Sequence, residues 1–350
     1  MLETADRKQR HAFAFTGEGG EYFRIWIVNL ALTLLTLGIY SAWAKVRRLQ
    51  YFYRNTSVAG ASFDYHGDPI AILKGRAIGV ALLLVYQFSG GISPVAGLVA
   101  LAVLALVLPW LIQRSLRFKL ANSSYRGLRF RFAGGPGGAY QAFLLWPALG
   151  YLTLGLLWPM AHWQIKRYQH NHSRYGTTPF TLEASLGGFY GLYLKLLGLL
   201  VVPLILVTLI AMTLLASYFG DFASDWENMV LGSISLVLAF SVIAMVMVGP
   251  WLAARLQNLV WNGTRLGSHG FSSAVRARDL LVIYLTNFLG ILLTLGLYKP
   301  FADIRLARYR LQHMALLAED DLDSFIADQA QTVNAAGEET AEVFDVDISF

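Results

Sequence analysis

With 56% hydrophobic and only 14% charged residues, the 350-residue chain is too poor in charge for a soluble domain, which carries about 25%. The absence of cysteine excludes disulfides, thiolate metal sites and cysteine nucleophiles. The net charge of +6 is uneven: no Lys or Arg follows Arg310, so residues 1–318 carry +16 and the remainder −10.

Several apolar runs approach the ~20 residues that a membrane helix needs. The expected fold class is an all-α polytopic membrane protein with about seven apolar helical segments, internal repeats, amphipathic interfacial helices and short strand-like connections. Residues 1–21 are polar and show no secretory signal. The first apolar segment, 23–40, holds Asn29, Thr33 and Thr36. Residues 41–55 follow, with Lys45, Arg47, Arg48 and Arg54 among Trp43, Leu49, Tyr51 and Phe52, and read as an amphipathic helix at head-group level. A short strand pair is expected over 56–67.

Segments 77–88 and 95–111 come next, joined by an uncharged turn, and Pro109-Trp110 opens a second basic unit containing Arg114, Arg117, Lys119 and Arg126. The fourth apolar segment is 140–158, followed by a third basic unit over 159–180. Segments 189–219 and 229–248 flank an acidic loop, 220–228. Pro250-Trp251 opens a fourth basic unit with Arg255 and Arg265, and segment 280–298 leads to a fifth at Pro300. Residues 22–318 thus read as a repeat-containing transmembrane domain, and 319–350 as an acidic, solvated, disordered tail.

Asn29 to Tyr51 recurs 258 residues later as Asn287 to Tyr309. Thr36, Gly38, Tyr40, Arg47 and Tyr51 fall on Thr294, Gly296, Tyr298, Arg305 and Tyr309. A weaker copy has Thr153-Leu154-Gly155 and Tyr168. Such self-similarity is the mark of a repeat architecture. The motifs Phe-Thr-Gly-Glu-Gly at 15–19 and Thr-Leu-Gly-Ile-Tyr-x-x-Trp-Ala-x-x-Arg at 36–47, with the recurrence at 294–305, are similar to the YjgN-like family, a bacterial inner-membrane family defined by a domain of unknown function. The resemblance reaches to about residue 315. It implies a multi-pass protein of the bacterial plasma membrane and brings no activity and no catalytic residues.

Two topologies compete. If all seven segments span, successive repeats are inverted, as in many transporters. If the three Thr-Leu-Gly segments re-enter, only 70–88, 95–111, 189–219 and 229–248 cross, and all five basic units share the cytoplasmic side. The reading leans to seven spans; both place the C-terminus in the cytoplasm.

Asn29 and Asn287 are candidate ligands in the membrane, or hydrogen-bond partners between helices. Arg47, Arg114, Arg255 and Arg305 occupy one repeat position and suit lipid phosphates. Gly38, Gly155 and Gly296, with Tyr40 and Tyr298, mark the repeat, each Gly ending or kinking a helix. Lys195 reads as a snorkelling lysine and Asp303 as a partner for Arg305 or Arg308. Gly75/Gly79 and Gly187/Gly191 have helix-packing spacing. His162, His170 and His172 match no standard metal spacing. No phosphate loop, zinc-protease or nucleophile-elbow motif occurs, so neither an enzyme, a cofactor nor a metal is expected, and the partners expected are anionic membrane lipids rather than nucleic acid. The leading functional expectation is a small-solute or ion permease; the alternative is a non-transporting scaffold or lipid-interacting protein.

Overall fold

The structure, a computed structural model, describes residues 9–219, 226–319 and 322–341. The acidic residues 221–225 and both chain ends lie outside the described residues. In chain order the elements are β1 (Gln9–Ala12), β2 (Ala14–Phe15), α1 (Gly19–Leu35), α2 (Ser41–Arg54), β3 (Thr56–Val58), β4 (Ala61–Tyr65), α3 (Pro69–Ile92) and α4 (Pro94–Ala121). Then come β5 (Ser123–Tyr125), β6 (Leu128–Phe132), α5 (Pro136–Tyr140), a π-helical turn (Gln141–Leu145), α6 (Trp146–Leu152), α7 (Trp158–Asn171), β7 (Ser173–Tyr175) and β8 (Thr178–Leu182). The chain continues through α8 (Leu186–Phe219), α9 (Trp226–Asn262), β9 (Thr264–Leu266), β10 (His269–Ser273), α10 (Ala277–Leu293), α11 (Lys299–Gln312), β11 (Met314–Ala318) and α12 (Leu322–Ala341).

The eleven strands form one antiparallel sheet that begins at β1 and ends at β2. Those two are adjacent in the chain, separated only by Phe13, whose N–H donates to the Met314 carbonyl (3.0 Å). The sheet therefore curls into a near-barrel whose two end strands are joined in line through Phe13 rather than paired side by side. Four hairpins, β3–β4, β5–β6, β7–β8 and β9–β10, supply most of it, and β11 pairing β1 supplies the fifth from opposite chain ends. Ala59-Gly60 and Arg126-Gly127 have positive φ at both turn residues, the backbone a type I′ hairpin turn requires.

The barrel interior is filled. Phe13, Phe63, Phe130, Phe180 and Phe271 hold one position on successive units, and the four consecutive ring pairs lie 6.4, 6.5, 6.4 and 6.2 Å apart, nearly parallel. Val58, Tyr125, Tyr175, Leu266 and Leu316 belong to the same core, which α12 caps with Leu322 and Ile326.

Five helices, α2, α4, α7, α9 and α11, each run into one hairpin or strand of the barrel, and α1, α3, α5, α8 and α10 leave it. The helices pack in sequence around a ring that closes where α1 meets α11. Asp68 caps α3, its carboxylate accepting from Ile70 and Ala71, and Ser93 caps α4; each is followed by a proline suited to a first helical turn.

This architecture corrects the expected fold class. The protein is not an all-α seven-span molecule: its strands form one eleven-stranded near-barrel sheet rather than isolated connections. Among the described residues three helices are long and apolar enough to cross a membrane: Pro69–Ile92, Pro94–Ala121 and Leu186–Leu214. The 37-residue α9, which contains the apolar run 229–248, packs along α8. The Thr-Leu-Gly segments turn back instead of continuing. Because every basic unit feeds the same barrel, the units cannot alternate sides, and the inverted-repeat arrangement is lost. The segment read as a solvated tail carries α12, seated on the barrel.

Candidate functional site

Three corners share one geometry. Leu37, Leu154 and Leu295 have φ of 49°, 51° and 50°, and Gly38, Gly155 and Gly296 follow at 94°, 96° and 96°. A glycine carries that second φ without strain. The N–H of each Gly donates to a carbonyl five residues back (Thr33, Gly150, Ile291; 2.8–2.9 Å), closing the helix as in a Schellman motif. Each Thr side chain stitches the corner: Thr36 Oγ1 donates to the Leu32 carbonyl and accepts from the Tyr40 N–H, and Thr294 repeats this with Gly290 and Tyr298. The tip leucines are 94–96% exposed. Each corner is thus a rigid apolar point.

The helix returning from each corner is latched at its base by a tyrosine. Tyr51 Oη donates to the Glu18 carbonyl or Glu21 carboxylate, Tyr168 to the Gly135 carbonyl, and Tyr309 to the Arg276 carbonyl or Asp279 carboxylate. Burial, with the Glu21 bond second, pushes the Tyr51 phenol up to about 12, so it stays a donor.

Asn29 and Asn287 are buried on α1 and α10. Asn287 Nδ2 donates to the Ala302 carbonyl of α11 (3.3 Å), a bond between the two arms of one corner, while Oδ1 of both residues has no partner. The four repeat arginines do not converge. Arg47 lies over the Tyr40 ring and Arg114 over Trp110, Arg255 is exposed on α9, and Arg305 donates to Thr286 Oγ1 (2.7 Å). Asp303 pairs with Lys299 (2.8 Å) and Arg48 (3.5 Å), tying α11 to α2, instead of the arginines expected for it. His162, His170 and His172 bind separate partners: Tyr193, Thr264 and the Tyr168 carbonyl. Gly75, Gly79 and Gly191 face open space, so their spacing is not a helix contact. Lys195 is exposed on α8.

Arg305 lines a pocket, together with the corner residue Tyr298 and the latch residue Tyr309. About 420 Å³ of space lies between α1, α10 and α11, walled by Ile283, Tyr298, Phe301, Ile304, Arg305, Arg308, Tyr309 and Gln312. Arg308, one helical turn from Arg305, also donates to the Gly17 carbonyl (2.7 Å). Phe301 stacks on Tyr298 (5.6 Å) and lies beside Phe23 (5.7 Å). Among the described residues no carboxylate lines the pocket. Two guanidiniums over an aromatic wall suit an anion with an apolar body. A second basic spot lies at Lys45 of α2: burial holds its amine below the usual lysine value, and the nearby Arg76 and Lys119 lower it further. The sequence marks Tyr309 only as a repeat position and Arg308 only as a partner for Asp303, and does not mark Gln312; the i, i+3 spacing of Arg305 and Arg308 was the available signal for a shared site.

A family model for bacterial proteins of unknown function, DUF898, matches residues 10–343. The chain belongs to this family. Inner membrane protein YjgN of Salmonella typhimurium (strain LT2) is 24% identical over 363 residues, covering 90% of each chain. Inner membrane protein YjgN of Escherichia coli K12 is 30% identical over 151 residues, covering 41% of this chain and 37% of that protein. No solved structure matches. In this chain the matched span takes in the three Thr-Leu-Gly corners and the strands from β2 to β11.

Proposed function

We propose that this protein is a multi-pass component of the bacterial inner membrane that works as a lipid-binding scaffold, without transport or catalysis of its own. The single observation carrying the reading is the one continuous near-barrel sheet into which all five basic helices run, while Leu37, Leu154 and Leu295 project as exposed apolar points. Lys/Arg-rich segments stay in the cytoplasm, so the barrel and the C-terminus are assigned there. The corners then dip into one leaflet, and the returning basic helices lie at the head groups. The names of the Salmonella and Escherichia relatives support the inner-membrane assignment. The side-chain-filled barrel offers no solute path along its own axis.

The ligand of the α10–α11 pocket is then the phosphate of an anionic lipid, held by Arg305 and Arg308, with its glycerol and upper chain against Phe301. The test is lipid retention in nanodiscs that mix phosphatidylglycerol with phosphatidylcholine, read by native mass spectrometry. The wild type is expected to keep phosphatidylglycerol several-fold over phosphatidylcholine, and the double variant R305Q/R308Q to lose most of that preference. Equal retention of both lipids by the wild type overturns the reading.

A further inference from the structure

A separate groove of about 390 Å³ runs between α8, α9 and α10 on the opposite flank of α10. Leu199 and Pro203 of α8, Phe240 and Trp251 of α9 and Leu281 of α10 form an almost wholly apolar wall. Its origin is partly in the sequence: Pro203 has no N–H to give the Leu199 carbonyl, which loosens α8 where the groove opens. From Phe240 to Trp251 the helix rises roughly 16 Å at 1.5 Å per residue. That is close to half of a hydrocarbon core about 30 Å thick, the depth of one leaflet's acyl chain.

One charge lines the groove. Arg278, the second residue of α10, stands at the end nearest the barrel. Its neighbours Arg276 and Asp279 are engaged by Tyr309, whereas Arg278 is exposed and, among the described residues, forms no hydrogen bond or ion pair. A slot of acyl-chain length ending in a free guanidinium has the charge pattern of one molecule class, and we propose that it holds an acyl chain of an anionic phospholipid whose phosphate pairs with Arg278. The proposal rests on the lipid-binding reading above but uses none of the α10–α11 pocket residues.

Trp251 in the groove wall is a built-in reporter, since bromine on an acyl chain quenches indole fluorescence at contact. The full-length protein is reconstituted in phosphatidylcholine vesicles with rising fractions of acyl-brominated phosphatidylglycerol, and in a parallel series with brominated phosphatidylcholine. The Trp251 component is the difference between wild type and W251F. Brominated phosphatidylglycerol is expected to half-quench it at a several-fold lower mole fraction than brominated phosphatidylcholine. R278Q should erase that difference and R278K should largely keep it, and L199F, which fills the slot, should remove the quenching with Arg278 intact. Equal quenching by both lipids in the wild type, or an unchanged preference in R278Q, overturns the proposal. R305Q/R308Q is expected to leave the Trp251 preference untouched, so failure at this groove and failure at the other pocket read out separately.

Discussion

Arg126, in the turn of the second hairpin, is ion-paired with Asp323, which lies 197 residues further along the chain at the start of α12. The same guanidinium donates to the Ala59 carbonyl of the neighbouring hairpin (2.6 Å), so it ties two hairpins to the capping helix. Around it Leu322 and Ile326 join the barrel core, Phe325 meets the His269 ring edge-on (4.6 Å), and Gln329 Oε1 accepts from Thr177 and Thr178.

Truncation after Glu319 is therefore expected to destabilise the protein. Its net charge makes the segment look dispensable, but the apolar side chains of the first turns sit on the barrel. Burying a large apolar side chain is worth about 1.5–3 kcal/mol. After the ordering cost of the helix, a loss of roughly 2–4 kcal/mol remains. The Asp323 pair adds little, because that carboxylate is largely exposed and such pairs give about 0–1 kcal/mol. Thermal unfolding in detergent should show a clearly lower midpoint for the truncation and for L322A/I326A, and a near-unchanged one for D323N.

The corners give a prediction with opposite signs for fold and membrane affinity. Gly296→Ala places a side chain at φ 96° and is expected to cost about 1–2 kcal/mol. Leu295→Asp, at a tip that touches almost nothing, should leave the detergent-solubilised midpoint within about 0.5 kcal/mol. In a bilayer the same change puts a charge among lipid tails, so the corner should withdraw, seen as loss of quenching of a reporter at Leu297 by lipid-borne bromine. A corner that sits in water would show no such change.

What could be read in the sequence divides along local and non-local lines. Thr36-Leu37-Gly38 and its copies encode a turn through their own side chains, and the three corners take the same backbone. Whether the run from Ile25 to Tyr40 spans or folds back is not written in its apolarity, because a lipid-exposed corner is as apolar as a span; Leu37 and Gly38 decide it. The barrel was hidden for a different reason. Its strands are two to five residues long, and β1 finds β11 from the opposite end of the chain. Only the β3–β4 pair was expected, although Arg126-Gly127 is the same kind of turn. Arg47, Arg114, Arg255 and Arg305 share a repeat position and therefore sit on different helices of a ring. Equivalence in sequence separated them in space.

Acidification should unfold the protein through two histidines on α7. Burial, with Lys166 nearby as the lesser cause, pushes both His162 and His170 down to about 4. The ordinary value is about 6.5, so between pH 6.5 and 4 the unfolded chain binds more protons than the folded one and stability falls as pH falls. Below about pH 4 these two groups add nothing further. The expected loss across the window is on the order of a few kcal/mol for the pair. His162→Gln/His170→Gln should flatten the dependence of the melting midpoint on pH between 6.5 and 4, while retaining any steeper fall below 4 that comes from carboxylates. An unchanged slope would mean that these imidazoles charge freely in the folded state.

The sidedness of the barrel underlies the proposed function and is open to direct measurement, because the chain has no cysteine of its own. Ser57→Cys, Ser173→Cys and Ser268→Cys place single thiols at the first, third and fourth hairpins. Gly91→Cys places one at the far end of α3, where an added side chain meets open space. In intact cells an impermeant thiol reagent is expected to label only the Gly91 position, and to reach the three hairpin positions once the inner membrane is opened. One continuous sheet of two- to five-residue strands cannot lie on both sides of a bilayer, so the hairpin thiols must behave alike. Label at Ser173 with none at Ser57 would contradict the barrel itself. Label at all three with none at Gly91 would keep the barrel and reverse it. The basic helices would then face the periplasm, against the positive-inside rule, and the cytoplasmic scaffold reading would fall.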